Sequence, residues 1–275
     1  MSGTKINFDN KHSIITGGSS GIGLALAKLL VKGGSNITII ARNLEKLETA
    51  KTEINKEAKP HQRVIAISAD VANKAEIEGG IKKAIAHLGN PHLLITSAGI
   101  AHPGYFQQLP LEIFEQTMAI NYLGSLYSIK SVLPFMEQEK EGNIILISSG
   151  AGLIGIYGYT AYSPTKFALR GLGESLRGEL KPKGIKIGIV YPPDTDTPQL
   201  FSENQTKPEE TKIITGTAKT WNAEDVALTI IQGIEKGKFT ITPGLEMTLL
   251  NRLHSLISPI LNWYFDRIIA KISEK

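Results

Sequence analysis

The stretch His12-Ser-Ile-Ile-Thr16-Gly17-Gly18-Ser19-Ser20-Gly21-Ile22-Gly23-Leu24-Ala-Leu-Ala27 decides the fold. A short apolar, β-branched run gives way within a few glycines to an apolar spacing of about 3.6 that continues to Val31, so a strand turns directly into a helix. Glycines there permit a tight turn and close approach of the backbone, while free amides and the positive end of the helix stabilise phosphate charge. Gly17, Ser19, Ser20, Gly21, Ile22 and Gly23 are therefore expected to cradle a dinucleotide pyrophosphate. A Gly-rich turn alone carries little weight; the strand before it and the helix after it make the reading specific.

Working outward, β-branched runs recur at His12–Thr16, Asn36–Ala41, Arg63–Ser68, His92–Thr96, Asn143–Ser148, Ile185–Val190 and Phe239–Ile241. Between them helical periodicity covers Gly21–Val31, Leu44–Glu57, Lys74–His87, Leu111–Glu137, Ala161–Leu180 and Ala223–Lys236. Alternation of this kind predicts an α/β fold, a Rossmann-type doubly wound parallel sheet of seven strands with right-handed crossovers. No linker or repeat divides the chain, so residues 1–244 are expected to form one dinucleotide-binding domain and 245–275 a helical tail. Pro192–Asn222, polar and rich in Pro and Thr, falls outside the alternation and reads as an irregular functional loop.

Composition narrows the function. Of 275 residues, 41% are hydrophobic and 20% charged, which suits a folded core. The 30 Lys and Arg against 26 Asp and Glu are scattered, so no nucleic-acid partner is expected. Zero cysteines exclude disulfides, cysteine-ligated metals and thiol nucleophiles, and no metal site is expected. Met1–Asp9 lacks the pattern of a signal peptide and no stretch is apolar enough to span a bilayer. The expected location is cytoplasmic, not secreted, with peripheral membrane contact as an option.

At the end of the second strand Arg42 stands where an NAD-preferring site places an acid for the ribose hydroxyls. With Ser19 and Lys46, one turn further on, it is positioned to clamp a 2′-phosphate, so NADP(H) is the expected cofactor. Asp70-Val71 follows the third strand, where the carboxylate either accepts from the adenine amino group or caps the next helix. Ala98-Gly99 follows the fourth, and small residues there admit the adenosine ribose.

The chemistry points to Tyr162 and Lys166, which share a helix face at four-residue spacing. A lysine ammonium there favours the phenolate and should lower the tyrosine pKa toward working pH, giving a general acid and base. Ser149, at the carboxyl edge of the fifth strand, can donate to a substrate carbonyl. Asn121, a side-chain amide inside a long helix, is placed to hold a water linking Lys166 to solvent.

These motifs resemble the short-chain dehydrogenase/reductase family from about Asn10 to Gly244: the Thr16–Gly23 loop, Asn121, Ser149 thirteen positions before Tyr162, and Tyr-x-x-x-Lys. The resemblance implies hydride transfer from nicotinamide to a carbonyl carbon, with Tyr162 protonating the oxygen, Ser149 orienting the carbonyl, Asn121 supporting the proton relay, and Lys166 also binding the nicotinamide ribose. It further implies cofactor contacts from Pro192, Thr195 and Thr197, the last to the carboxamide. Two departures stand out. The family's Asn-Asn-Ala-Gly is Thr96-Ser97-Ala98-Gly99 here, and its Pro-Gly after the sixth strand is Pro192-Pro193.

The segment Tyr191–Pro198, followed by Glu203-Asn204 and Thr206-Lys207-Pro208, is similar to the branch of that family that reduces the 3-keto group of long-chain sphingoid bases with NADPH. A hydrophobic lipid substrate follows as an expectation, with Asp194 and Asp196 attracting its ammonium or simply shaping a turn. Rival readings are another hydrophobic carbonyl (3-ketoacyl, steroid or retinoid) and a non-catalytic NADP(H)-sensing protein. The intact Asn121, Ser149, Tyr162 and Lys166 argue against the sensor.

In the tail, Leu249, Leu250, Leu253, Leu256, Ile257, Ile260, Leu261, Tyr264, Phe265, Ile268 and Ile272 form one helical stripe. Charges interrupt it, so it should lie on a membrane, on its own domain or on a second subunit rather than span, and Pro259 is expected to break it into two helices. Related reductases assemble through the two long helices, here Leu111–Glu137 and Ala161–Leu180, which implies a homodimer or homotetramer.

Overall fold

The computed structural model describes residues 7–216 and 219–273. Seven parallel strands, β1 (His12–Thr16), β2 (Asn36–Ala41), β3 (Val64–Ser68), β4 (Pro91–Thr96), β5 (Gly142–Ile147), β6 (Ile185–Val190) and β7 (Thr240–Ile241), lie in the order β3-β2-β1-β4-β5-β6-β7. This is the doubly wound sheet that the alternation predicts, with its order reversing between β1 and β4.

Side chains alternate across the strands, and each face collects its own core. Ile15, Ile37, Ile39, Leu93 and Ile95 face α1 (Gly21–Lys32), α2 (Leu44–Asn55) and α9 (Ala223–Glu235), which contribute Leu26, Leu30, Leu47 and Ile230. Ile14, Ile40, Leu94, Ile144 and Leu146 face α3 (Lys74–Leu88), α5 (Gly124–Glu139) and α6 (Ser163–Leu180), which contribute Ile77, Ile81, Val132 and Leu180. Each fully buried Ile or Leu contributes about 1.5–3 kcal/mol.

Three expectations are corrected. The helix expected over Leu111–Glu137 is α4 (Leu111–Met118) and α5 joined by a π turn at Ala119–Leu123, which widens the backbone around Asn121. The segment after Pro192 is not irregular throughout: Thr197 caps α7 (Pro198–Thr206) by accepting from the Leu200 amide at 3.3 Å, and Pro208 opens α8 (Glu209–Thr215). Pro259 does not divide the tail, because α10 runs from Leu245 to Ser273 with the proline inside it. The carbonyl four residues back belongs to Ser255, an exposed residue, so solvent can take the hydrogen bond that the proline removes.

Candidate active site

The carboxyl ends of the strands open into a cleft of about 370 Å³, a volume suited to a small-molecule site. Its floor is the β1–α1 turn. Gly17, at φ +71°, lies so close to the Ser97–Ala98 backbone that a Cβ would sit 2.6 Å from the Ala98 nitrogen. Ser20 gives α1 no side-chain cap and the first turn holds no acid, so the amides at that helix end retain their capacity for an anion. The turn therefore fits a pyrophosphate. Gly17, Ser19, Ser20, Gly21 and Ile22 line the cleft, whereas Gly23 is buried against the Gly17 carbonyl.

Toward β2 and β3 the lining continues through Arg42, Lys46, Asp70 and Val71. Arg42 is exposed and one of its guanidinium nitrogens is 3.9 Å from Asp70. Asp70 does not cap α3: Asn73 does, accepting from the amides of Ala75 and Glu76, while Asp70 accepts from Ala72 at 3.0 Å. Ala98 and Gly99 complete this half.

In the other half, Tyr162 stands one residue before α6, and the Lys166 amide still bonds the Tyr162 carbonyl at 3.3 Å, so the four-residue spacing holds. The Lys166 ammonium is 5.3 Å from the Tyr162 ring centroid and donates to the Ile147 carbonyl at 3.0 Å. Burial lowers the Lys166 pKa to about 8, with the Glu203 charge opposing. The expected depression of the tyrosine is not what this geometry gives. Burial, reinforced by the Glu203 charge, pushes the Tyr162 phenol up, and hydrogen bonding from Ser149 and Gln199 only partly opposes it.

Ser149 lines the cleft beside Tyr162, its Oγ also accepting from the Ala151 amide at 3.2 Å. Asn121 lies behind the lining. Its Oδ1 accepts from the Ile100 amide at 2.8 Å, and its Nδ2 donates to the Ile100 carbonyl and the Thr165 hydroxyl, both at 3.0 Å. Protein groups thus take most of the amide's capacity, and Asn121 pins the segment after β4 to α6. Pro192, Asp194, Thr195 and Thr197 line the cleft, but Asp196 is exposed and outside it.

Sequence reasoning missed a group brought in by α7. Glu203 is buried in the wall, where it accepts from the Tyr159 hydroxyl at 2.7 Å and the Gln199 amide at 2.8 Å. The readable signal was its place in a Thr-Pro-initiated helix, where the i, i+4 spacing sets Gln199 and Glu203 on one face. Tyr159 could not be paired with it from sequence, because 44 residues separate the two.

A family model described as short chain dehydrogenase matches residues 11–208. The chain belongs to the short-chain dehydrogenase family. It is 42% identical over 257 residues to 3-dehydrosphinganine reductase of Danio rerio, covering 93% of this chain and 77% of that one. It is also 42% identical to 3-ketodihydrosphingosine reductase of Bos taurus, covering 90% and 76%. A Dictyostelium discoideum protein of the same name is 39% identical, covering 98% and 85%. Among solved structures, a short chain dehydrogenase/reductase from Burkholderia phymatum in complex with NAD superposes with a TM-score of 0.82 at 21% identity, covering 93% of this chain and 96% of that one. Levodione reductase does so at 0.78 and 24%, covering 86% and 96%, so the fold is shared across distant sequences. As a member of this family the protein is an oxidoreductase, and its cofactor is a nicotinamide dinucleotide.

Proposed function

We propose that the protein reduces 3-ketodihydrosphingosine to dihydrosphingosine with NADPH. The observation that carries the reading is Tyr162, a buried neutral phenol on a dinucleotide cleft with Ser149 beside it and Lys166 behind it. The substrate comes from the relatives' names, which apply to proteins matching nine-tenths or more of the chain.

Gly17–Ile22 would hold the pyrophosphate, Val71, Ala98 and Gly99 the adenosine, and Lys166 with Pro192, Thr195 and Thr197 the nicotinamide end. A bound reduced nicotinamide supplies hydride to the carbonyl carbon. Ser149 donates a hydrogen bond to the carbonyl oxygen, and Tyr162 transfers its phenolic proton to that oxygen as negative charge develops. Burial suits this direction, since it holds the phenol protonated until the acceptor becomes basic. Lys166 stabilises the transient phenolate and, with a pKa near 8, exchanges protons close to neutrality. Asn121 fixes the segment against which both sit. Arg42, standing at the end of β2 in the place of an acid, supports NADPH over NADH together with Lys46.

No described helix is long and apolar enough to cross a membrane. In α10, Met247 and Leu250 pack on the domain and His254 meets Arg170 at 3.3 Å. Further along, Leu256, Ile260, Trp263 and Tyr264 are exposed; the Ile272 side chain lies outside the described residues. We read residues 1–244 as the catalytic domain and the exposed face as peripheral contact with the membrane that supplies the lipid. Assembly through the outer faces of α4–α5 and α6, where Phe167 is exposed, is part of the same proposal.

The test is cofactor oxidation by purified protein with 3-ketodihydrosphingosine in detergent, followed through the absorbance of the reduced nicotinamide. Tyr162→Phe should lower kcat by about 10²–10⁴. Activity confined to 3-ketoacyl, steroid or retinoid ketones would replace the substrate, and NADPH binding without turnover of any ketone would replace the reaction. Full-length protein should float with anionic liposomes and protein truncated after Gly244 should not; equal flotation ends the membrane reading.

A further inference from the structure

A carboxylate in a cleft wall is costly unless something offsets its charge. Glu203 is 8% exposed, and among the described residues no Lys or Arg nitrogen lies within 4.0 Å of it. Its two oxygens accept from neutral donors, Tyr159 and Gln199, which stabilise the group without neutralising it. A carboxylate has about four lone-pair sites, so capacity for a further donor remains. Asp194, another carboxyl of this wall, is pushed up by burial and pulled back by the buried cation Lys207.

Glu203 also belongs to the reacting end of the cleft. The Tyr159 and Tyr162 rings are 5.7 Å apart, and Gln199, which donates to Glu203, lines the cleft beside Tyr162. The Glu203 charge acts on both Tyr162 and Lys166. A ketone whose oxygen meets Tyr162 has two flanking carbons, and turning one of them to the α7 side of the cleft directs that carbon's substituent toward this carboxylate. In 3-ketodihydrosphingosine that substituent is an ammonium.

We infer that Glu203 is the specificity-determining residue of the site, receiving the substrate's ammonium and so selecting ketones with an amino group on the adjacent carbon. This rests on the reading of the protein as a sphingoid ketone reductase and replaces Asp196, which is outside the cleft, as the anionic contact. Asp194 also lines the cleft with no Lys or Arg nitrogen within 4.0 Å among the described residues, and Glu203 is set apart by its tie to Tyr159, whose ring is 5.7 Å from that of Tyr162. A role confined to holding α7 in place through Tyr159 would give no preference for a charged substrate.

The experiment compares full-length wild type and Glu203→Gln with NADPH on 3-ketodihydrosphingosine and on the ketone of equal length without the amino group. The ratio of kcat/KM values, amine over des-amino, should fall at least tenfold in the variant; differences in intrinsic reactivity cancel between the two proteins. An unchanged ratio overturns the assignment. A second measurement needs neither turnover nor a folded variant: the thermal shift of wild type with NADP⁺ and dihydrosphingosine, against the same with N-acetyl-dihydrosphingosine. The free amine should bind at least tenfold more tightly, and equal binding overturns the assignment. Wild type that reduces neither ketone but prefers the free amine would remove the reaction and keep the ammonium site, so the two failures are distinct.

Discussion

Where Gly17 meets Ala98 the cleft is walled by backbone packed on backbone, whereas at its other end α7 and α8 are held to the body of the domain by a few side-chain hydrogen bonds. Tyr105 donates to Glu210 at 3.0 Å, Thr211 to the Tyr157 carbonyl at 2.9 Å and Tyr159 to Glu203 at 2.7 Å. The first wall depends on the absence of side chains, so few sequences can build it. The second depends on particular side chains that can be exchanged without disturbing the sheet. On the proposed function, the first half would bind the cofactor common to every substrate and the second would distinguish the substrates.

The sharpest way to break this contrast is Gly17→Ala. The added Cβ collides with main chain that cannot rotate away, and φ +71° is unfavourable for an L side chain. NADPH affinity should fall at least about 100-fold, a loss of some 3 kcal/mol or more. Fluorescence titration of NADPH measures it, and a fall under about tenfold would mean that the floor yields more readily than its packing implies.

Arg42→Ala comes next in size and keeps to the same half. Loss of one charge-assisted clamp costs about 1.5–3 kcal/mol, so KM for NADPH should rise by roughly 10- to 100-fold while KM for NADH stays within about twofold. The Asp70 carboxylate 3.9 Å away sharpens the expectation, because its charge loses its nearest cation once the arginine is gone. Parallel steady-state kinetics with both cofactors decide it, and an unchanged preference removes Arg42 from the cofactor site.

The same contrast governs how far the sequence could be read. The seven strands, the glycine turn and the Tyr162–Lys166 pair are local patterns in which neighbours in the chain are neighbours in space. Asn121 was singled out as an amide inside a helix, but the π turn that houses it is set by its bonds to Ile100 and Thr165, 21 and 44 residues away. Helices α7 and α8 had readable starts in Thr197-Pro198 and Pro208, yet the polar stretch between them lacks the apolar stripe that announces a packed helix. Glu203 was visible as a letter and not as a site, since its meaning comes from Tyr159. The Tyr162 shift runs opposite to the sequence expectation for a related reason: spacing reveals Lys166, while burial, the largest cause of the upward shift, belongs to the assembled cleft.

Gly158→Ala tests the other half and should have the smallest effect. Gly158 has φ +77°, and a Cβ there would press on the Thr211 hydroxyl and lie 3.2 Å from the Pro208 ring, at the point where α8 is tied down. Unlike the wall at Gly17, the obstruction is a side chain and a helix start that can move outward together. The cap formed by α7 and α8 should loosen while the glycine floor keeps its shape, because the contacts of Gly158 are the bond from the Gly104 amide to its own carbonyl and the start of α8. KM for the ketone should rise about 3- to 10-fold, worth roughly 1 kcal/mol, with Kd for NADPH within twofold of wild type. Substrate-saturation curves beside cofactor titrations separate the two constants. If Kd for NADPH rose in step with KM for the ketone, the cap and the floor would be one mechanical unit, and the division of labour between them would fail.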